Sequence, residues 1–331
     1  MNAIDVLAPG LLTSVQDGGR RGHAALGVGC AGAMDPVALR LANLLVGNAP
    51  DAAALEMTLR GPRLRVRDAT LVALTGAGIE AHCDGAPLPA WRPVLVRAGA
   101  ELAFGGMRHG ARSYLAMAGG VALAPLLGSC STDLNAGLGG MLLSAGASLA
   151  CGPSDARTAT ALRASLASRG PFAAAAWQLD PQPWFEATAA RPIRVCTGTH
   201  FPQLDNAARR ALFATQFLIG VDSNRVGYRL EGASLALREP LELISEGVVP
   251  GTLQLPPGGT PIVLMAEAPT SGGYPRIAQV IGVDLPRLAQ RRPGDPVRFA
   301  ETSLDDAQTR YLERERALQR IQRRVTERLH G

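Results

Sequence analysis

Glycine-rich stretches with polar side chains are the part of this sequence best suited to chemistry. Glycine lets backbone N–H groups approach a ligand closely, and neighbouring Arg, Asp, Glu, Gln and Thr side chains can bind small anions or amides. The same residue types also form ordinary turns and helix caps, so both interpretations stay open for each stretch. The stretches are residues 15–20 with 32–35, 112–114, 128–133, 222–229, and the series 245–247, 254–257 and 270–275.

The basic side chains are all arginine, because none of the 33 Lys and Arg positions is a lysine. This absence excludes a P-loop lysine, a Schiff-base lysine and a lysine general base. It also excludes this chain as a biotin carrier, since biotin is attached to lysine. Any anion held by this chain is therefore held by arginine, by backbone N–H groups or by a helix N-terminus.

Motifs of common hydrolases, metalloproteases and nucleotide-binding proteins are missing from the sequence. It contains no GxSxG, HExxH or GxxxxGK[ST] pattern, and no GxGxxG opens a helix after a strand. The five Cys residues are spread singly, and His82–Cys83 is the only place where a His and a Cys are adjacent. Neighbouring residues of a strand point to opposite faces, so we expect no metal site there.

Composition predicts a globular, mainly β protein of the α+β class. Hydrophobic residues make up 47% of the chain, and 38 Gly with 24 Pro favour many tight turns. The net charge of +5 comes from scattered arginines with acids among them, so we expect no nucleic-acid partner. The uncharged residues 113–132 are interrupted by Gly and Pro, which indicates a buried strand and turn and not a membrane span. An odd number of cysteines without a signal-peptide pattern predicts a cytoplasmic protein with reduced thiols.

The elements that position these loops can be read from caps and turns. Asp35 as N-cap, Pro36 in the first turn and Gly47 as stop predict a helix that follows the glycine-rich loop 16–34. Residues 55–117 predict a meander of short strands, in which Asp84–Gly85 forms a hairpin turn with positive φ.

A weakly periodic segment rich in Ala, Pro and Ser, residues 152–190, predicts a boundary between two domains. We therefore expect an N-terminal β-rich domain at 1–185 and a C-terminal β domain with a terminal helix at 190–331. Apolar residues at every seventh position from Leu304 to Val325 predict an amphipathic helix of about 25 residues at the end of the chain. That helix can pack on its own domain or against a partner chain.

Seven segments give the sequence a likeness to a known family. They are LLTSVQDGGRRGHAALGVGCAGAMDPVALRLANLLVGN, RSYLAMAGG, GSCSTDLNAGLGG, NRVGYRLEG, SEGVVPGTLQLPPGGTPIVLM, SGGYPRIAQVIGVDLPRLAQ and PGDPVRF. In this order the segments resemble the family of 5-oxoprolinase C subunits, also known as allophanate hydrolase subunit 2 or KipA-like and as biotin-dependent carboxyltransferase. The sequence departs from the family pattern at Cys130, Asn224 and Ser271.

The resemblance implies two cyclophilin-like β-barrel domains and a role in a bacterial ATP-dependent 5-oxoprolinase. The chain would work in the cytoplasm with a KipI-like B subunit, and possibly an A subunit, to activate and open the lactam 5-oxoproline to glutamate. ATP would be shared with the partner subunit. The alternatives are a carboxyltransferase acting on urea or another small amide, with biotin carried by another chain, and a non-catalytic regulatory partner of a KipI-like protein.

The resemblance also implies which residues line the site. Arg225 would hold an anion, and Glu246 would orient the substrate amide or act as a base, as the two catalytic residues. The expected substrate-binding residues are Asp17, Arg20, Asp35, Gln254, Thr270, Gly272, Gly273 and Tyr274.

Overall fold

A computed structural model of the chain describes residues 3–154, 160, 170–185 and 191–330. The described residues form many short strands and four α-helices, which confirms the predicted mainly β fold class with a C-terminal helix. The chain divides into two compact units. Within the described ranges, no helix combines the length and the apolar character needed to cross a membrane.

Two six-stranded antiparallel sheets make up the first unit, which contains residues 1–19, 35–187 and 318–331. In spatial order, one sheet contains β11 (Ser148–Ala150), β1 (Ala3–Ala8), β4 (Arg63–Val66), β9 (Glu101–Met107), β6 (Ile79–Cys83) and β7 (Ala86–Pro87). The other contains β12 (Phe172–Ala174), β8 (Val94–Val96), β5 (Thr70–Gly76), β10 (Arg112–Met117), β3 (Ala54–Thr58) and β2 (Leu12–Gln16).

The two sheets of the first unit share one hydrophobic core. Ile4, Leu64 and Leu102 of one sheet and Leu55 and Leu115 of the other belong to the same buried cluster. Alternate residues of β4 are buried and exposed, as expected for a sheet with one face on a core. The strands predicted over 55–117 are confirmed, but the simple meander is wrong, because β5 pairs with β8 and β10 while β6 pairs with β7 and β9.

An eight-stranded sheet dominates the second unit, which contains residues 20–34 and 188–317. Its strands in spatial order are β21 (Pro296–Val297), β14 (Phe217–Ile219), β15 (Gly227–Glu231), β18 (Ile262–Leu264), β17 (Thr252–Gln254), β20 (Arg276–Val280), β13 (Ile193–Thr197) and β22 (Phe299–Glu301). The two edge strands β21 and β22 are separated by Arg298 alone, so the sheet has to curl until its edges meet. The result is a nearly closed barrel. A separate two-stranded ribbon joins β16 (Glu246–Gly247) to β19 (Ser271–Gly272).

Two helices begin directly after a capping aspartate. Helix α1 (Pro36–Leu45) has Asp35 as N-cap, whose Oδ1 accepts a hydrogen bond from the Ala38 N–H at 3.0 Å. Helix α2 (Asn206–Ala214) is capped in the same way by Asp205. A short helix α3 (Leu285–Ala289) precedes the last strands. Asp84 and Gly85 have φ values of 45° and 81°, which confirms the predicted hairpin turn.

Helix α4 (Leu304–His330) ends the described chain. Leu318, Val325 and Leu329 are buried in a cluster with Val37 and Leu41 of α1, so the C-terminal half of this helix packs on residues of the same chain. The residues from Leu318 onward belong to the first unit. Much of the predicted boundary segment 152–190 lies outside the described residues, and the domain limits 1–185 and 190–331 stay a prediction.

Candidate functional site

A cavity of about 220 Å³ lies within the second unit. One wall is the glycine-rich loop of residues 20–30, and the other is formed by residues 248–250 and 266–270. The loop is closed by a hydrogen bond from the Arg20 N–H to the Cys30 carbonyl oxygen at 2.6 Å. The cavity brings together two residues predicted for substrate binding, Arg20 and Thr270, which are 250 positions apart in the sequence.

The cavity is basic, and most of the rest of its lining is apolar. Arg20 is 1% exposed and Arg21 is exposed, and among the described residues that line the cavity none is acidic. Its apolar lining consists of Ala24, Val28, Val248, Val249, Pro250, Ala266, Ala268 and Pro269. A guanidinium group in a partly desolvated cavity binds a carboxylate more strongly than it would at an open surface. The arrangement therefore fits a small carboxylate with an apolar body.

A buried ion pair involves Glu267, which lies between the cavity-lining residues Ala266 and Ala268. Arg225 and Glu267 are each 4% exposed, and Arg225 Nε lies 2.5 Å from Glu267 Oε1. Arg225 Nη2 also donates to the carbonyl oxygen of Gly32 at 2.6 Å. The structure thus joins Arg225 to Glu267. Two donors of Arg225 thus already serve protein acceptors. Its predicted role as an anion holder stays a prediction.

The ribbon of β16 and β19 places Glu246 opposite Gly272. Glu246 is exposed and forms an ion pair with Arg276, whose Nη1 also donates to the Gly247 carbonyl oxygen at 3.3 Å. The sequence patterns did not single out Arg276, which directly follows Pro275. The catalytic role predicted for Glu246 stays a prediction.

Gln254 lies at the end of β17, beside a bulge in its pairing with β20. Its side chain is 5% exposed, and Nε2 has no hydrogen-bond partner among the described residues. A Cβ atom on Gly272 would lie 2.5 Å from this nitrogen, so Gly272 and Gln254 are in direct contact. Gly273 and Tyr274, the next two predicted residues, are exposed at the end of the ribbon.

Asp17 organises a loop in the first unit. Its carboxylate accepts hydrogen bonds from the hydroxyls of Ser129 and Ser131 and from the backbone N–H groups of Gly19 and Cys130. With this number of protein donors, the geometry favours the loop-capping interpretation of Asp17. Its predicted part in substrate binding stays a prediction.

Asp35 belongs to a second buried group in the first unit. Its backbone N–H donates to the Tyr114 hydroxyl at 2.7 Å, and that hydroxyl donates to Glu56 Oε2 at 2.6 Å. Burial and the Glu56 carboxylate raise the pKa of Tyr114 well above its ordinary value of 10.0, so the phenol stays protonated. Asp35 therefore fixes the start of α1, and its expected substrate contact stays a prediction.

The three departures from the family pattern keep clear structural roles. The Cys130 backbone N–H donates to Asp17, and Asn224 Oδ1 accepts from the backbone N–H groups of Val226 and Gly227. Asn224 Oδ1 thus makes acceptor contacts that an aspartate oxygen could also make. Ser271 pairs with Gly247 in the ribbon. In the described part of the chain, no group of three or more His, Cys, Asp or Glu side chains could hold a metal ion.

Comparison with known proteins gives three informative matches. The C subunit of the 5-oxoprolinase of Escherichia coli (strain K12) is 40% identical over 320 residues, covering 94% of this chain and 96% of that protein. A putative urea carboxylase of Emericella nidulans is 32% identical over 96% of this chain, which spans only 26% of that protein. The crystal structure of the Kluyveromyces lactis urea carboxylase superposes with a TM-score of 0.83 at 26% identity, covering 96% of this chain and 29% of that one.

The family assignment follows from a match over most of the chain. Residues 26–301 match the family described as "Carboxyltransferase domain, subdomain A and B". This range includes helix α1, the loop residues that donate hydrogen bonds to Asp17, and the residues of both cavity walls from residue 26 onward. The chain belongs to the carboxyltransferase domain family, subdomains A and B.

Proposed function

We propose that this chain is the C subunit of an ATP-dependent 5-oxoprolinase, which opens the lactam 5-oxoproline to glutamate. The observation that supports this most is the 40% identity to the corresponding E. coli protein, which extends over 94% of this chain and 96% of that protein. The proposal includes a KipI-like B subunit, an A subunit, and a cytoplasmic location.

The basic cavity has the chemistry for such a substrate. 5-Oxoproline is a small carboxylate on an apolar five-membered ring, and the cavity offers Arg20 and Arg21 with walls such as Val28 and Val248. We assign the carboxylate to Arg20, because a planar guanidinium suits a carboxylate, and the ring to the apolar walls. Thr270 would add a hydroxyl at the rim.

ATP does not fit this cavity. Its volume of about 220 Å³ is below the ~300–1,000 Å³ of ordinary ligand pockets, and a nucleoside triphosphate is larger than 5-oxoproline. The chain also has no lysine with which to hold phosphates as a P-loop does. We therefore place the nucleotide mainly on a partner protein and derive no step of the reaction from it on this chain.

Reconstitution tests the proposal directly. The chain is mixed with its A and B partners, ATP and 5-oxoproline, and glutamate is measured against a mixture that omits the chain. We expect glutamate only in the complete mixture. Equal glutamate with and without the chain would reject the assignment.

A second candidate function is carboxyl transfer to urea or another small amide. The match to a putative urea carboxylase of Emericella nidulans favours it, although this chain spans only 26% of that protein. Since the chain lacks lysine, biotin would have to come on another chain. Avidin added to the reconstituted mixture separates the two functions, because it stops a biotin-dependent transfer and leaves the lactam hydrolysis intact.

Arg20→Gln should raise the KM for 5-oxoproline by about 10- to 100-fold, as expected for losing a charge-assisted hydrogen bond to the carboxylate. We expect a smaller change in kcat, because the carboxylate is not itself part of the bond that breaks. Arg210→Gln, on the exposed side of α2, is the matched control and should leave KM unchanged. A melting curve for each variant checks folding, and an unaltered KM in a folded Arg20→Gln protein would contradict the assignment.

A further inference from the structure

The side-chain amide of Gln254 is a buried polar group of the second unit. The residue is 5% exposed, and its Nε2 lacks a hydrogen-bond partner within the described part of the chain. Buried amide nitrogens are nearly always hydrogen-bonded, because an unsatisfied buried donor is costly. A group that lacks a partner in the protein alone is a candidate for a partner supplied by a ligand.

A chain of contacts links Gln254 to the ribbon. Gln254 pairs through its backbone with Arg276, Arg276 forms an ion pair with Glu246, and Glu246 lies opposite Gly272 in the ribbon. Gly272 closes the ring, since a Cβ at that position would lie 2.5 Å from Gln254 Nε2. A side chain at position 272 would clash with the amide, so the glycine leaves the space that the amide occupies.

The chemistry of the linked residues and of the amide itself indicates what kind of group the amide can bind. Glu246 and Arg276 neutralise each other, so this ion pair favours neither an anion nor a cation. A primary amide presents one N–H donor and one oxygen acceptor along a single edge. A lactam or a urea presents the complementary pair on one edge, because its N–H and C=O lie on the same side. An ordinary trans amide points them in opposite directions and cannot engage both.

The glycine beside this amide is only two residues along the chain from a residue that lines the basic cavity. Thr270 lines the cavity, and Gly272 follows two residues later in the same segment. A substrate whose carboxylate is held by Arg20 can therefore direct its other end towards the ribbon. Because Nε2 is covered, the ribbon has to move aside to admit it. The ribbon consists of two residue pairs, and Glu246, Gly247 and Ser271 are exposed.

We infer that Gln254 is the specificity residue that recognises the cis N–H and C=O edge of a lactam or urea-type substrate beneath the β16–β19 ribbon. This inference rests on the proposed function for the choice of 5-oxoproline as ligand. It assigns the carboxylate and the lactam of that ligand to two different residues, Arg20 and Gln254. The two contributions can be separated with ligands that carry only one of the two groups.

The test is a set of titrations on the full chain by calorimetry, with ligand-observed NMR for weak binders. The ligands are 5-oxoproline, 2-pyrrolidinone with the lactam alone, and cyclopentanecarboxylate with the carboxylate alone. Gln254→Met should weaken binding of the two lactams by about tenfold, the cost of losing one to two neutral hydrogen bonds, and leave cyclopentanecarboxylate unchanged. Gln203→Met, at an exposed position, is the matched control and should change nothing.

A second variant guards against misfolding of the first. Gly272→Ala keeps Gln254 but places a methyl group against Nε2, so it should reproduce the lactam-selective loss. Equal lactam binding by the unaltered chain and by folded Gln254→Met would overturn the inference while leaving the proposed function in place. If 5-oxoproline fails to bind but 2-pyrrolidinone still depends on Gln254, the inference stands and the proposed substrate is wrong. Binding of no lactam by the unaltered chain would reject both.

Discussion

Arg225→Met is expected to lower the free energy of unfolding by about 3–5 kcal/mol, because it leaves the Glu267 carboxylate buried without its ion-pair partner. Both residues are 4% exposed, so water cannot replace the lost guanidinium at low cost. The substitution also removes the donor to the Gly32 carbonyl oxygen, which ties the loop of residues 20–34 to the rest of the second unit. Urea denaturation monitored by tryptophan fluorescence measures the change.

Replacing both partners separates the contribution of the ion pair to the free energy of unfolding from the cost of leaving one charge without the other. Two apolar residues of similar volume are often tolerated where a single unpaired charge is not. The double variant Arg225→Met with Glu267→Met should therefore recover most of the stability lost in Arg225→Met. Arg229→Met, exposed on the adjoining strand β15, should stay within about 0.5 kcal/mol of the parent. A double variant no more stable than the single one would contradict this account.

Asp284→Asn is expected to have the second large effect, again about 3–5 kcal/mol of unfolding free energy at neutral pH. Asp284 is fully buried and accepts from the Arg194 backbone N–H at 2.8 Å, from Nε at 2.9 Å and from Nη2 at 2.7 Å. Arg287 lies 3.2 Å from the same carboxylate. A neutral amide loses the charge that both guanidinium groups face and turns an acceptor into a donor.

The pH dependence of this effect has a definite sign. Burial raises the pKa of Asp284, but the hydrogen bonds from Arg194 and the charge of Arg287 outweigh it, so the pKa lies below the ordinary 3.8. A carboxyl group whose pKa is lowered by folding stabilises the folded state above pH 3.8, and that stability is lost as the pH falls through the lowered value. The difference in unfolding free energy between the parent and Asp284→Asn should therefore shrink below about pH 4. Asp222→Asn, at an exposed position, is the control, and a difference independent of pH would refute the assignment.

Local signals predicted the elements of the fold well. The cap at Asp35, the turn at Asp84–Gly85 and the repeat that leads to Val325 depend on residues within a few positions of one another. The pairing of strands was not predictable in the same way. Neighbouring strands β5 and β6 belong to different sheets, and short-range patterns contain no information about which sheet a strand joins.

The site was predicted in its residue types more than in its contacts. Arg20 and Thr270 do line one cavity, but their sequence separation of 250 positions hides that from local reasoning. Arg225 forms its ion pair with Glu267, 42 positions away, which no local pattern indicates. Arg276 was missed because nothing local distinguishes an arginine that bridges a ribbon from one on an open surface. In each case the deciding fact is a long-range contact.

The path of the chain limits how this protein can be dissected. Residues 20–34 belong to the second unit, although the residues on both sides of them belong to the first. A fragment that starts at residue 188 would therefore lack Arg20, one wall of the cavity and the carbonyl of Gly32 that receives Arg225. Cutting between the units at a single point cannot yield an intact binding unit. Complementation with a peptide of residues 20–34, or a fused copy of that segment, would be needed to recover ligand binding in isolation.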